Sequence, residues 1–441
     1  MAPATSRSSL EQRQWPLLAS LLERVGRDNP FYRDRWQACG IRPEVGSIAE
    51  FKTRFPFTRK QDLVIDQAAH PPYGSNLTFP IDHYTRCHGT SGSTGHPLRW
   101  LDTPQSWQWM LDNWRRVYLA AGVTRSDRVF FAFSFGPFLG FWTAFEAALQ
   151  LGCLCLPGGG LTTVARLRSI LDQQATVLCC TPTYALHLGA TAHAEHLDLA
   201  ASPVRRILVA GEPGGSIPAT RNAIESAWPG ARVFDHHGMT EVGPVSYPCP
   251  AQPGVLHVIE EGYLAEIVDP RTTQPSPDHA IGELVLTTLG RVGSPLIRYR
   301  TGDLVRARPI ASPCPCGSVD LALDGGILGR ADDMVVIRGV NVFPSAVEEV
   351  IRDVGGIAEY RAEVHAEGAL RELRIEIEPV PASSSATAPA DLARRLEHAF
   401  QSRLALRVPV RILEPGTLPR FEMKARRWIR TAEPASAPRG G

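Results

Sequence analysis

Short apolar runs alternate with longer amphipathic stretches through the first three quarters of the chain. The runs at 129–133, 176–180, 206–210 and 232–235 are four or five residues long, the pattern of strands covered on both faces. Around them, 106–121, 141–151, 163–173 and 219–228 carry apolar residues at helical spacing. Such alternation predicts an α/β fold built on a mostly parallel sheet. From residue 256 the rhythm shortens. Strands at 258–260, 264–268 and 282–288 follow one another without helices, as in an antiparallel unit. After Gly329-Arg330 comes a small α+β unit: strand 334–337, helix 345–354, strands 362–365 and 374–378, helix 392–406, strand 410–413. The polar stretch 379–390, PVPASSSATAPA, reads as a loop within it, and the tail after 429 is expected to be disordered.

One region changes the picture if read by hydropathy alone. From 129 to 156 the only charge is Glu146. Gly136-Pro137 and Gly140 divide it, so it reads as a buried strand and a buried helix, not a membrane span. Residues 1–13 lack the apolar run of a signal peptide. The 441 residues are 44% hydrophobic and 21% charged, which excludes a mainly disordered or fibrous chain. With 46 basic and 45 acidic residues, the net charge of +1 argues against a protein organised around nucleic acid or anionic lipid. Nine cysteines without framework spacing point to a reducing, cytoplasmic setting. Of the basic residues 43 are Arg, and the three lysines are Lys52, Lys60 and Lys424. A lysine kept in such a chain marks a site where a slim ammonium serves and a planar guanidinium does not.

Candidate chemistry begins at 88–97, HGTSGSTGHP, with three glycines and four hydroxyl residues. Its backbone N–H groups, with Thr90, Ser91, Ser93 and Thr94, suit a polyphosphate, although a plain surface turn has the same composition. No GK[ST] follows, so it is not a Walker A loop. Cys249, His257, Cys314 and Cys316 form a complete tetrahedral zinc set; buried free thiols or a disulfide are the alternatives. Cys39, Cys87, Cys153, Cys155, Cys179 and Cys180 sit in apolar or strand surroundings and read as core.

The phosphate loop is followed in order by FSFGPFLGFW (133–142), TPTYALHL (181–188), VAGEPGG (209–215), HHGMTE (236–241), IRYRTGDL (297–304), GRADDMVVIRGVNVFPSAVEE (329–349) and a late Lys424. This series resembles the adenylate-forming superfamily of acyl-CoA synthetases, in its phenylacetate–CoA ligase-like branch, over about 85–430. The resemblance implies a large N-terminal domain (1–328, with a zinc-bearing antiparallel unit at about 245–320), a hinge at 329–332 and a small mobile C-terminal domain (333–441). It implies that Thr90, Ser91, Gly92, Ser93, Thr94 and Gly95 hold the departing phosphates of ATP. Thr240 would bind the α-phosphate and Glu241 would hold Mg2+, a hard cation that suits a carboxylate. Gly211, Glu212 and Pro213 would border the adenine, and His237 stands where relatives carry an aromatic that stacks on the base. Asp303 would accept from the ribose hydroxyls, and Arg330 would contact ribose or phosphate. Lys424 would reach the carboxylate and α-phosphate, and Asp332 would be the pivot that exchanges it for the loop Arg338, Gly339, Val340 and Asn341. Phe135, Phe138, Phe141 and Tyr184 would line a flat acid slot, with Gly158, Gly159 and Gly160 giving close backbone approach.

Three departures stand out: His96 replaces a customary Lys, Met423 a customary Gly, and His237 the aromatic. The implied activity is ATP- and Mg2+-dependent adenylation of an aromatic carboxylic acid, then transfer to coenzyme A. A second expectation keeps adenylation but passes the activated group to a carrier protein or amine, or activates nitrite for diazotisation of an aryl amine. A third is a silent paralogue that binds nucleotide without turnover. A homodimer is compatible with the sequence; nucleic acid and membrane partners are not expected.

Overall fold

A computed structural model describes residues 4–90, 97–309, 314–331, 333–338, 340–367, 370–380, 389–421 and 425–430, the side chains of 341, 366, 367, 370, 389 and 430 excepted. The predicted alternation is present. Strands Leu154–Pro157, Arg128–Phe131, Val177–Cys180, Arg206–Val209 and Arg232–Asp235 lie side by side in that order, all parallel. Helices Pro104–Ala120, Leu139–Leu151, Thr163–Asp172 and Pro218–Ala227 match the predicted ones within two residues. Many begin at proline, whose fixed φ and missing N–H suit the first helical position. Gly140 does not break its helix, which starts one residue before it. Among the described residues no helix is long and apolar enough to cross a membrane.

The second sheet is antiparallel and six-stranded, in the order Ser246–Pro248, Val255–Val258, Ala322–Arg330, Tyr299–Ala307, Ile281–Thr288, Tyr263–Val268. One expected strand is displaced: 258–260 is the end of Val255–Val258 and a turn beyond it. Glu260 there is buried and accepts from the Leu321 N–H at 2.6 Å and from the Arg7 guanidinium.

The first hundred residues, where the hydropathy pattern offered no elements, form helices Arg7–Asp28, Pro30–Ala38, Ile48–Arg54 and Lys60–Ala69. They dock on the antiparallel sheet through Tyr32, whose hydroxyl accepts from the Ile297 N–H at 3.0 Å. Thr58 makes a parallel bridge to Tyr299, donating its N–H to Arg298 and accepting from the Arg300 N–H. That bridge carries the start of the next helix, and Lys60 with it, to the sheet.

The unit after Gly329-Arg330 has its own core of Val347, Ile351, Tyr360, Ile375, Leu396 and Phe400, among others. Its four-stranded sheet runs Val410–Ile412, Leu370–Pro379, Ile357–Glu367, Trp428–Arg430. The central pair is antiparallel and much longer than the alternation predicted, and each outer strand is parallel to its neighbour. The loop at 381–388 and the tail after 430 lie outside the described residues.

Candidate active site

Strand order reverses direction between Arg128–Phe131 and Val177–Cys180, and ligands of such sheets gather at the carboxyl ends there. Four loops leave those ends: the aromatic segment, Thr181-Pro182, the 211–215 turn and the 236–241 segment. Thr181 caps helix Pro182–Ala194 by accepting from the Tyr184 N–H. Gly214, at φ +156°, lies so close to this helix start that a Cβ would sit 2.6 Å from the Pro182 Cβ. Glu212 spends both oxygens on backbone amides, accepting from the Thr183 N–H at 2.9 Å and the Ala425 N–H at 3.0 Å.

The ribose and metal candidates gather at the central strands Tyr299–Ala307 and Ala322–Arg330 of the antiparallel sheet, where Asp303 pairs with Arg330. Asp303, buried, accepts from His237 Nε2 at 2.9 Å and from Arg330 Nη1 at 3.3 Å. His237 Nδ1 is buried and has no partner among the described residues. Tyr299, nearly inaccessible, has its phenol pushed well up by burial and by the charges of Glu241 and Asp303, while Arg330 opposes the shift. All three candidate charges therefore lie within electrostatic reach of this phenol. Glu241 is buried and pairs with Lys60 Nζ at 3.1 Å. The sequence offered no role for Lys60 beyond its rarity among arginines, which was the one usable signal.

Behind Thr240 and Glu241 lies Arg291, fully buried against fully buried Asp102 in a two-pronged pair at 2.7 and 2.6 Å. Its remaining Nη1 donates to the carbonyls of Thr240 and Glu241, each at 2.8 Å. A buried guanidinium with an acceptor at each of its three nitrogens fixes local backbone direction, because leaving a nitrogen unpaired would be costly. Neighbouring His236 is buried with Nδ1 2.6 Å from the Ser246 carbonyl, and burial lowers its pKa to about 3, so the ring is neutral.

Phe133 stacks on Phe141 with centroids 3.9 Å apart, and Phe135 meets Trp142 and Phe145. Phe135, Phe138 and Phe141 are half-buried. Tyr184 differs from expectation. It is fully enclosed in a core cluster, and its hydroxyl accepts from Arg166 Nη1 at 2.6 Å, so it packs and does not line a slot. Gly158 is likewise explained by packing: a Cβ there would lie 2.7 Å from the Phe130 ring. The phosphate loop connects the hairpin strands Arg86–Gly89 and Arg99–Asp102. Thr90 closes its base, its N–H donating to the Leu98 carbonyl and its hydroxyl accepting from the Leu98 N–H. Ser91, Gly92, Ser93, Thr94, Gly95 and His96 lie outside the described residues, as do Asp332, Gly339, Met423 and Lys424. Arg338, at φ +48°, donates to Glu372 at 2.6 Å.

Apart from this site, Cys249, His257, Cys314 and Cys316 offer ligand atoms all within 4.8 Å of one another. The pairs Cys249–Cys314 and Cys316–His257 Nε2 stand 3.5 and 3.4 Å apart. His257 Nδ1 lies 3.1 Å from the Asp320 carbonyl, an acceptor that must take the ring proton there and leave Nε2 a lone pair facing the sulfurs. Burial pushes the Cys249 thiol up to about 12. Three sulfurs and a correctly turned imidazole fit a tetrahedral cation of borderline softness. No cysteine is in a disulfide among the described residues. Of the six expected core thiols, Cys153, Cys179 and Cys180 are buried and Cys155 half-buried, but Cys39 and Cys87 are exposed, since they sit at a helix end and on a hairpin edge.

The AMP-binding enzyme family model matches residues 89–290, and the AMP-binding enzyme C-terminal domain model matches 339–431. The phenylacetate–coenzyme A ligase of Thermus thermophilus is 32% identical over 433 residues, 94% of each chain. The crystal structure of 2-hydroxyisobutyryl-CoA ligase in the postadenylation state, with R3-HIB-AMP bound, superposes with a TM-score of 0.88 at 27% identity, covering 97% of this chain and 91% of that one. The same ligase in the thioesterification state, with 2-HIB-AMP and CoA, gives 0.69 at 28% identity and the same coverages. The parts are thus arranged as in the first of those two states.

Proposed function

The chain belongs to the adenylate-forming AMP-binding enzyme family, in its phenylacetate–CoA ligase-like branch, and from that premise we propose that it adenylates an aromatic carboxylic acid with ATP and passes the acyl group to coenzyme A. The observation that carries this reading is buried Asp303 held by His237 and Arg330, with buried Glu241 paired to Lys60 nearby in the same electrostatic surroundings. Near-full-length likeness to a ligase of this kind supports it, and favours coenzyme A over carrier-protein, amine or nitrite acceptors.

Two anions must meet for adenylation, so charge neutralisation and positioning are the protein's work. Asp303 offers carboxylate oxygens to the ribose hydroxyls, steadied by His237 and Arg330. Thr240 and Glu241, aimed by Arg291, face the α-phosphate side. Glu241 is the carboxylate suited to Mg2+, which when bound neutralises phosphate oxygens. Lys60 supplies a second positive charge beside it. Lys424 is proposed to bring the ammonium that bridges carboxylate and α-phosphate, and residues 329–332 the hinge between the units 1–328 and 333–441. The half-buried phenylalanines give a flat apolar wall for the acid's ring. The Cys/His cluster is suited to a structural zinc that would pin the segment before Ala322–Arg330 to the neighbouring strands Ser246–Pro248 and Val255–Val258 at one side of the antiparallel sheet.

The test is a panel of aryl acids, phenylacetate first, incubated with ATP, Mg2+ and coenzyme A. Aryl-CoA with matching AMP and pyrophosphate is expected. AMP release without aryl-CoA would replace the acceptor, and bound nucleotide with no turnover would remove the enzyme reading. Lys424→Ala should lower pyrophosphate release by several orders of magnitude yet retain most thioester formation from supplied aryl adenylate.

A further inference from the structure

We propose that Glu212, Thr183 and Arg427 form a latch that holds the C-terminal unit in the pose of the first half-reaction; this rests on the adenylating reading above. Glu212 grips both sides of the junction. One oxygen accepts from the Thr183 N–H, in the first turn of helix Pro182–Ala194, and the other accepts from the Ala425 N–H. A carboxylate at a helix N-terminus is favoured by the aligned peptide dipoles, so Glu212 is oriented before the tail arrives. The close packing of Gly214 on Pro182 sets that orientation.

Arg427 grips from the other side. It is nearly buried, and its guanidinium is bolted within the C-terminal unit to Glu359, at 2.5 and 3.2 Å, and to Glu348 at 3.5 Å. Burial opposes ionisation of Glu348, but Arg352 and Arg427 prevail and bring its pKa down to about 2, so the acid stays charged. From that anchorage Arg427 Nη1 donates to the Thr183 hydroxyl at 3.3 Å. Both grips meet at Thr183, and both are made by residues just after Lys424 in the chain. The Ala425 amide is the peptide nitrogen bonded to Lys424 itself, so fixing that N–H fixes one end of the segment bearing the lysine. The arrangement that contains these contacts is the one resembling the postadenylation state. The latch residues act on the reaction by positioning and touch no reacting atom.

Glu212→Gln is the decisive variant. The two amides approach different carboxylate oxygens, so a carboxamide would turn its NH2, a donor, towards one of them and lose that bond. With phenylacetate as probe, pyrophosphate release should fall ten- to a hundredfold more than thioester formation from supplied phenylacetyl adenylate and coenzyme A. Thr183→Val, which removes only the hydroxyl, should show a smaller split of the same sign. A merely structural role would lower both half-reactions equally, and that result, or no change in either, overturns the latch. Amide exchange of the free protein needs no substrate: residues 425–430 should exchange faster in Glu212→Gln, and unchanged exchange overturns the latch even if no acid is turned over. Inactivity of the wild type with every acid tested, together with faster exchange in the variant, would overturn the adenylating reading and leave the latch standing.

Discussion

Among the described residues, two places carry side chains suited to a cation, and they are built in opposite ways. The Cys249–His257–Cys314–Cys316 cluster is complete by itself: four side chains, mostly buried, at mutual distances a tetrahedral ion would satisfy. The Glu241 site supplies one carboxylate, already shared with Lys60, and its geometry comes from a buried Arg291–Asp102 pair that holds the backbone. A closed ligand set leaves no position for a reactant and can only stabilise. A one-carboxylate site leaves most positions to water and phosphate, which is what a site serving a substrate-bound ion requires.

The comparison can be broken most sharply at Glu241. Glu241→Gln removes the charge that faces both Lys60 and the expected Mg2+. Pyrophosphate release should drop on the order of a hundred- to a thousandfold, with metal content at the Cys/His cluster unchanged. Loss of bound zinc in that variant, or near-normal adenylation, would contradict the separation of the two sites.

The converse change is Cys316→Ser. Near-stoichiometric zinc should be lost, stability should fall by roughly 3 kcal/mol, and kinetics measured well below the melting temperature should change far less than stability does. Elemental analysis and thermal unfolding check it, and a metal-free wild type with normal stability would discard the cluster.

The smallest expected effect concerns the neutral ring of His236, a few residues before Thr240 and Glu241. His236 titrates near 3 in the folded chain because burial disfavours its charge, against about 6.5 when unfolded. The folded state binds fewer protons, so the ring's contribution is complete above pH 6.5 and is lost as pH falls towards 3. By pH 5 about 2 kcal/mol should be gone. His236→Gln should flatten that part of the stability profile; an unchanged slope would show that other groups produce it.

Much of the parallel sheet was legible because its strands are short apolar runs separated by amphipathic helices, and that periodicity is a local property. The N-terminal helices were not, although serine or asparagine caps such as Ser6, Asn29 and Ser47 mark three of their starts. The 258–260 strand was misplaced because Glu260, a charged residue in an apolar run, turns inward to meet Arg7 and the Leu321 amide, contacts no local pattern announces. Tyr184 looked like a slot residue by its motif and proved to be core because Arg166, also buried, needs its hydroxyl.

By itself the sequence determined the α/β alternation, written in its periodicity, the order of the motifs that carry the family resemblance, and which three cysteines and one histidine would lie together. Only the tertiary structure decided that Lys60 would stand against Glu241, that Arg291 would brace the same backbone, and that Glu212 would reach Ala425 from 213 positions away. The reason is physical: such pairs are selected by which surfaces the packed core brings within hydrogen-bond range, and the strength of a charge pair depends on the burial that packing creates.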